Sequence, residues 1–166
     1  MTDRMPGPSP MGASTEVTRV IKAPRQTVYH AFLDRDAVAV WQHPDNMQMQ
    51  VHTFEPREGG TFRISLTYED LADSPDGAGG KTSANTDTYH GRSMRLVPDT
   101  TIVEIVEFES RQAAFAGEMR ITVELASVDG GTEVMYRCEN LPPGVRPEDN
   151  EMGCHMALQR LAALLE

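Results

Sequence analysis

The sequence has little cysteine, one tryptophan and a shortage of positive charge. Its two cysteines, Cys138 and Cys154, do not form a CxxC pair. Two isolated cysteines are typical of reduced thiols in a cytoplasmic protein, and a single disulfide between them is the alternative. Fifteen Lys and Arg residues against 25 Asp and Glu give a net charge of −10. Such a charge disfavours nucleic acids and anionic membranes as partners.

Long hydrophobic runs are also missing. No stretch of about eighteen apolar residues occurs, so we expect no membrane insertion. Residues 1–13 lack the apolar segment of a signal peptide and are interrupted by prolines, which predicts a disordered leader. The remaining residues, 14–166, have the length of one domain.

Hydrophobic periodicity predicts one strand, two short helices, six further strands and a long terminal helix. Alternation of apolar and polar residues predicts strands over residues 15–22, 48–54, 61–68, 87–97, 101–109, 117–127 and 132–140. The short helices are predicted from Pro24 to Leu33 and, capped by Asp34, as far as Trp41. Residues 70–86 are rich in Gly, Ser and Asp without periodicity, which predicts a long mobile loop.

The terminal helix is predicted to begin at Pro147 and to carry one apolar stripe. The stripe consists of Cys154, Ala157, Leu158, Leu161 and Leu165. An antiparallel sheet of about seven strands needs one face covered, and this helix is the only large apolar element able to cover it. The fold class is therefore α+β, with a long helix lying across a curved antiparallel sheet.

Three segments carry a family resemblance. Residues 18–32 are similar to the pattern R-x-I-x-A-P…V-[FW]-x-A-[FW], and residues 54–62 to D-x-R-x-G-G-x-[FY]. Trp41 with His43-Pro44 is similar to W-W-x-P, with Gln42 replacing the second tryptophan. In this combination the chain resembles the START-like (SRPBCC) superfamily. Within it, the chain looks like the subfamily related to the C-terminal domain of the Hsp90 ATPase activator Aha1, which is often grouped with polyketide cyclase-like proteins.

The resemblance implies a helix-grip (Bet v 1-like) fold with a cavity between the sheet and the terminal helix. It departs from the family at Cys154, where relatives usually carry a tryptophan after the helix glycine. The shape of the cavity at that end is therefore not transferred from the family. We expect a small apolar ligand, similar to a lipid or polyketide, to be held by Trp41, His43, Phe54, Phe62, Ile64, Leu66, Tyr68, Tyr89, Met119, Cys154 and Leu158.

Several of these residues have an alternative, structural interpretation. Trp41 either borders the cavity entrance or is a core aromatic that holds the short helices to the sheet. Cys154 lies near a helix N-terminus, where a nucleophilic thiolate is favoured, but its place on the apolar stripe favours a small buried side chain. Gly59 and Gly60 predict a tight turn with positive φ and a close backbone approach, not a phosphate site.

No metal or cofactor is expected, because the five histidines show no metal-ligand spacing. Arg63, Arg92 and Arg95 alternate with apolar positions. We therefore expect them on the solvent face, paired across strands with Glu104 or Glu107. An arginine that pointed inward would instead anchor a ligand carboxylate.

Three functions follow from the sequence. The first is a cytoplasmic protein that binds a small apolar ligand, with a homodimer through an edge strand or the long loop as a possible assembly. The second is a cyclase- or hydratase-like enzyme on the same scaffold, with His43, Tyr68, Tyr89 and His90 as candidate catalytic residues. The third is a chaperone-interacting module, which ranks lowest because an activator of this type would need a further N-terminal domain.

Overall fold

A seven-stranded antiparallel sheet forms most of the molecule. The computed structural model describes residues 12–166. The strands are β1 (Thr15–Ile21), β2 (Met47–Phe54), β3 (Thr61–Tyr68), β4 (Thr86–Val97), β5 (Thr101–Phe108), β6 (Met119–Val128) and β7 (Gly131–Glu139). They lie in the order β1-β7-β6-β5-β4-β3-β2, so β1 and β2 are the edges of the sheet. Pairing of two copies through an edge stays a prediction.

Three α-helices complete the architecture and confirm the predicted α+β, helix-grip fold. They are α1 (Arg25–Leu33), α2 (Arg35–Trp41) and α3 (Pro147–Leu165). Among the described residues, no helix is both long and apolar enough to cross a membrane. The predicted leader, residues 1–13, lies outside the described residues except for Gly12 and Ala13. The carbonyl oxygen of Ala13 accepts a hydrogen bond from the Leu141 amide at 2.9 Å.

The helix boundaries follow from capping chemistry. Pro24 precedes α1, where its missing N–H costs no hydrogen bond. Asp34 is the residue at which α1 ends. Its side-chain carboxylate caps α2 by accepting hydrogen bonds from the amides of Asp36 and Ala37, at 2.9 and 3.1 Å. Pro147 opens α3, and Glu148 and Asp149 occupy its first turn, where the helix dipole stabilises negative charge.

The turn between β2 and β3 uses its two glycines as the sequence predicts. Gly59 has a φ of 80°, which a residue with a side chain rarely adopts. A Cβ atom at Gly60 would collide with the carbonyl oxygen of Glu55. The double glycine therefore has a structural role.

A β-bulge in β4 determines which residues of that strand are exposed to solvent. The pairing with β5 shifts between Ser93 and Arg95, so that Ser93 lies opposite Glu104 and Arg95 lies opposite Val103. The extra residue, Met94, is exposed. This shift keeps Arg92 and Arg95 exposed while Ser93 is buried.

The concave face of the sheet is covered unequally. The cluster that we call the closed half is completed by α1, α2 and the C-terminal half of α3, and includes Val17, Ile21, Val28, Phe32, Trp41, Val134, Leu158, Leu161 and Ala162. The cluster that we call the open half lies under the N-terminal half of α3 and includes Phe62, Ile64, Val106, Met119, Cys138 and Leu141. No residue of α1 or α2 belongs to this second cluster of described residues.

The segment 70–86 contains more structure than its composition predicts. Two short 3-10 helices, Leu71–Asp73 and Pro75–Gly77, form within it. The Asp70 carboxylate accepts a hydrogen bond from the Ala72 amide at 2.9 Å and begins the first of them. The hydroxyl of Ser74 donates to the Leu71 carbonyl oxygen at 2.6 Å and accepts from the Gly79 amide at 2.8 Å.

Candidate functional site

A pocket of about 440 Å³ lies in the open half, between the concave face of the sheet and the N-terminal half of α3. Strands β2 to β7 form its floor, and α3 forms its roof through Asp149, Asn150, Gly153, Cys154, Ala157 and Leu158. Loop residues 75–76, 78–81 and 144–146 also line it. Three of these six α3 residues, Gly153, Cys154 and Ala157, have small side chains, which leaves space beneath the helix.

Aromatic and aliphatic side chains form most of the floor. The Tyr89 ring packs in T-shaped contacts with Phe62 and Phe108, at centroid distances of 6.5 and 6.4 Å. Edge-to-face contacts of this kind fix ring positions without filling the space between the sheet and the helix. Ile64, Val106 and Met119 are buried around these rings.

The structure brings ten of the eleven expected ligand-binding residues to the pocket. They are His43, Phe54, Phe62, Ile64, Leu66, Tyr68, Tyr89, Met119, Cys154 and Leu158. Trp41 does not border it: its side chain is 0% exposed, and its indole N–H donates to the Ala31 carbonyl oxygen at 2.9 Å. Its ring packs edge-on against Phe32 at 4.7 Å, so Trp41 is the core aromatic of the closed half.

His43 is buried at the rim of the pocket. Its Nδ1 lies 2.8 Å from the Pro44 carbonyl oxygen. Because a carbonyl oxygen only accepts, Nδ1 carries the proton in this contact. Within residues 12–166, His43 contacts no carboxylate at hydrogen-bond or ion-pair distance, so the partner that a proton shuttle requires is missing there.

Glu104 is a pocket residue that the sequence analysis placed elsewhere. It lies on β5 between Ile102 and Val106, which are 1% and 3% exposed, and its side chain borders the pocket with that of Val106. The expected pairing of Glu104 with surface arginines is therefore wrong. The signal for its position is a carboxyl flanked on both sides by apolar residues of a buried strand.

Burial dominates the electrostatics of the pocket. It raises the pKa of Glu104 from its ordinary value of 4.5 to about 7. Burial, followed by the negative charge of Asp87, raises the pKa of Tyr68 to about 12. The pKa values of Tyr89 and Tyr136 are also raised, by burial first and by Glu104 as a smaller cause. These groups lie in a medium that disfavours negative charge.

Two ion pairs occupy the rim. The Lys81 ammonium lies 2.8 Å from the Asp87 carboxylate. The backbone amide of Lys81 donates a hydrogen bond to the same carboxylate at 2.6 Å. The Arg146 guanidinium lies 2.8 Å from Asp149 and 3.5 Å from Asp76, which joins the 70–86 segment to the start of α3. Both basic groups of the pocket lining are therefore already paired.

The two cysteines also border the pocket, and both are free thiols. Contact with the Cys138 thiol, followed by burial, raises the pKa of Cys154. A thiol whose pKa is raised is a poor nucleophile at neutral pH. Cys154 therefore fits the interpretation as a small apolar side chain, and its size leaves space under α3.

His90 and the arginines of the sheet lie on the opposite, convex face. The His90 ring nitrogens lie 3.1 Å from Glu109 and 3.7 Å from Glu107, so the candidate catalytic role of His90 in the pocket is wrong. Arg63 pairs with Glu109 at 2.9 Å, and Arg92 pairs with Glu118 at 3.4 Å. The partners differ from those expected, because Glu104 faces inward.

This architecture is shared with a known protein family and with solved structures. Residues 22–166 match the model of the family described as Activator of Hsp90 ATPase homolog 1-like protein. A comparison with curated proteins finds no match. Among solved structures, protein CV1439 from Chromobacterium violaceum is 29% identical with a TM-score of 0.80, over 92% of this chain and 96% of that one.

Two further solved structures share the fold at lower identity. A protein from Rhodobacter sphaeroides is 21% identical with a TM-score of 0.69, covering 96% of this chain and 95% of its own. The AHSA1 protein from Silicibacter pomeroyi is 12% identical with a TM-score of 0.73, covering 92% and 97%. With the family model matched over most of its length, the chain belongs to the Activator of Hsp90 ATPase homolog 1-like family.

Proposed function

We propose that this protein is a cytoplasmic binding protein that holds a small, largely apolar molecule between the sheet and α3. The observation that carries the proposal is the pocket of about 440 Å³ in the open half, walled by aromatic and aliphatic side chains. This volume lies within the range of small-molecule sites, which are mostly apolar with a few polar groups. The free thiols of Cys138 and Cys154 fit a reducing compartment.

The pocket stays open because the described residues above it have small side chains. The α3 residues above it include Gly153, Cys154 and Ala157, and a Cβ atom at Gly153 would meet only the Pro44 side chain, at 3.5 Å. In the closed half, by contrast, α1 and α2 supply large side chains to the same sheet. A ligand would complete the apolar packing that the chain leaves incomplete.

The enzyme alternative requires contact between candidate acid–base residues of the pocket. Within residues 12–166, none of His43, Tyr68, Tyr89 and Glu104 is hydrogen-bonded to another of them. Among these four residues of the described part of the chain, the raised pKa of the Glu104 carboxyl is the feature that an acid–base catalyst would need. Binding without chemistry is therefore the better-supported function.

The direct test is to fill the pocket and measure binding of a neutral apolar probe. N-phenyl-1-naphthylamine becomes fluorescent when it leaves water for an apolar site. The Ala157→Phe variant places a ring under the roof, whereas Ala163→Phe adds the same ring on the exposed side of the same helix. We expect saturable fluorescence with the unmodified protein and with Ala163→Phe, and its loss with Ala157→Phe.

The folding of both variants is checked by circular dichroism and thermal melting. Equal fluorescence from Ala157→Phe and Ala163→Phe, with both proteins folded, would place the probe outside the pocket and contradict the proposed site. An absence of saturable binding to the unmodified protein would contradict the proposed function itself.

A further inference from the structure

One carboxyl group stands in the apolar floor of the pocket without a partner. Glu104 lies in register with Ser93 of β4 on one side and Ile121 of β6 on the other, and Ile121 also borders the pocket. Within residues 12–166 its carboxylate makes no hydrogen bond and no ion pair. A half-buried carboxyl that lines an apolar pocket in this state lacks the compensation that such groups ordinarily have.

The other charged groups of the pocket do not supply that partner. Lys81 is held by Asp87 at 2.8 Å, and Arg146 is held by Asp149 at 2.8 Å. The lining contains four acidic residues, Asp76, Asp87, Glu104 and Asp149, and two basic ones, Lys81 and Arg146. Once these ion pairs are formed, Glu104 is the acidic residue of this lining that has no basic partner. The pocket therefore carries an excess of negative charge.

Nearby polar groups are phenols and an amide. Tyr89 and Tyr136 border the pocket, and the Gln42 side-chain amide donates to the Tyr136 hydroxyl at 3.5 Å. These groups form hydrogen bonds but carry no positive charge at neutral pH. The missing element beside Glu104 is therefore a cation or a strong hydrogen-bond donor.

We propose that the ligand carries a basic amine at one end of its apolar body and that Glu104 binds this amine. The inference rests on the proposed function and names the chemical class of the ligand. A charge-assisted contact in a water-poor site is stronger than one between neutral groups. The net charge of −10 attracts the same class of molecule toward the protein.

A ligand with a carboxylate head is disfavoured by the same features. The arginines expected from the sequence as anchors, Arg63, Arg92 and Arg95, are exposed outside the pocket. The basic residues of the pocket lining, Lys81 and Arg146, are already paired with carboxylates. A carboxylate placed beside Glu104 would add a second negative charge to a low-dielectric space, which costs free energy. On the same apolar skeleton, an amine head group is therefore expected to strengthen binding and a carboxylate head group to weaken it.

The test uses three probes with one skeleton: 4-phenylbutylamine, 4-phenylbutanol and 4-phenylbutanoate. Their affinities at pH 8 are measured by isothermal titration calorimetry. We expect the amine to bind the unmodified protein about tenfold or more tightly than the alcohol, and the carboxylate to bind most weakly. The Glu104→Gln variant removes the charge at nearly constant shape, and we expect it to abolish the preference for the amine over the alcohol.

Glu107→Gln is the matched control, because it removes the same charge from the same strand on the opposite face, where Glu107 contacts His90. It should keep the preference for the amine. Equal affinity for amine and alcohol, or a preference that survives Glu104→Gln, would overturn the amine inference while leaving the proposed function intact. If none of the three probes binds, both the inference and the proposed function are contradicted.

Discussion

The two halves of the concave sheet face differ in what covers them. The closed half receives large side chains from three helices, including Val28, Phe32 and Trp41, and Trp41 is fully buried. Within residues 12–166, the open half faces α3 and loop segments, and a pocket of about 440 Å³ remains there. One sheet therefore supports both a packed core and a pocket. The number of helices that cover each half determines the difference.

This difference separates residues that stabilise the fold from residues that are available for function. In the closed half, each side chain is surrounded on all sides, so a truncation loses many contacts at once. In the open half, side chains such as Phe54 border empty space and lose fewer contacts. We expect the stability of the protein to depend mainly on the closed half.

The largest expected effect compares two phenylalanines. Phe32→Ala, in the closed half, should lower the free energy of unfolding by about 4 kcal/mol, because a filled site becomes a cavity. Phe54→Ala, which borders the pocket, should lower it by about 2 kcal/mol or less. Urea denaturation of both variants measures the difference, and equal losses would show that the two halves are packed alike.

The second-largest expected effect on stability comes from substitutions that enlarge a side chain. Ala162 is 2% exposed in the closed half, whereas Ala157 borders the pocket on the same helix. Ala162→Phe should cost about 3 kcal/mol of stability through overpacking. Ala157→Phe should cost about 1 kcal/mol or less, since the ring enters existing space. A similar large cost at both positions in urea denaturation would mean that the space beneath Ala157 is filled.

The smallest effect concerns the acid in the open half. Folding raises the pKa of Glu104 from 4.5 to about 7, so the folded protein binds a proton more tightly than the unfolded chain between these values. The contribution of Glu104 to stability therefore falls as pH rises through that window. Glu104→Gln removes this term, and we expect it to gain about 2 kcal/mol relative to the unmodified protein between pH 5 and pH 8.

Denaturation of both proteins at the two pH values measures this gain. The other titratable groups around the pocket are Tyr68, Tyr89, Tyr136, Cys138, Cys154, His43, Lys81, Asp76, Asp87, Asp149 and Arg146. They are present in both proteins, so subtracting the two curves isolates Glu104. Glu107→Gln, on the opposite face, serves as the control, and a pH-independent difference for Glu104→Gln would place the Glu104 carboxyl in water.

The sequence predicted the elements well because their signals are local. All strand boundaries agree with the structure within two residues, and the capping role of Asp34 is observed directly. Alternation of apolar residues in β3 correctly assigned Phe62, Ile64 and Tyr68 to the buried face. Local periodicity and capping chemistry were sufficient for these features.

The composition of the pocket was harder to predict, because it depends on register and on long-range contacts. In β5 both faces carry apolar residues, so periodicity alone did not assign Glu104 to either face. The bulge between Ser93 and Arg95 changes the pairing in a way that the pattern of β4 does not indicate. Trp41 has the same local signal whether it borders a pocket or packs on Phe32, and only the position of α2 decides between the two.

A crystal structure of the protein soaked with 4-phenylbutanol tests the central claim, that the space beneath the N-terminal half of α3 receives a ligand. We predict continuous density for the probe between Phe62 and Ala157, with the side chains of the closed half unmoved. Density showing that protein side chains fill this space, with no room for the probe, would contradict the account.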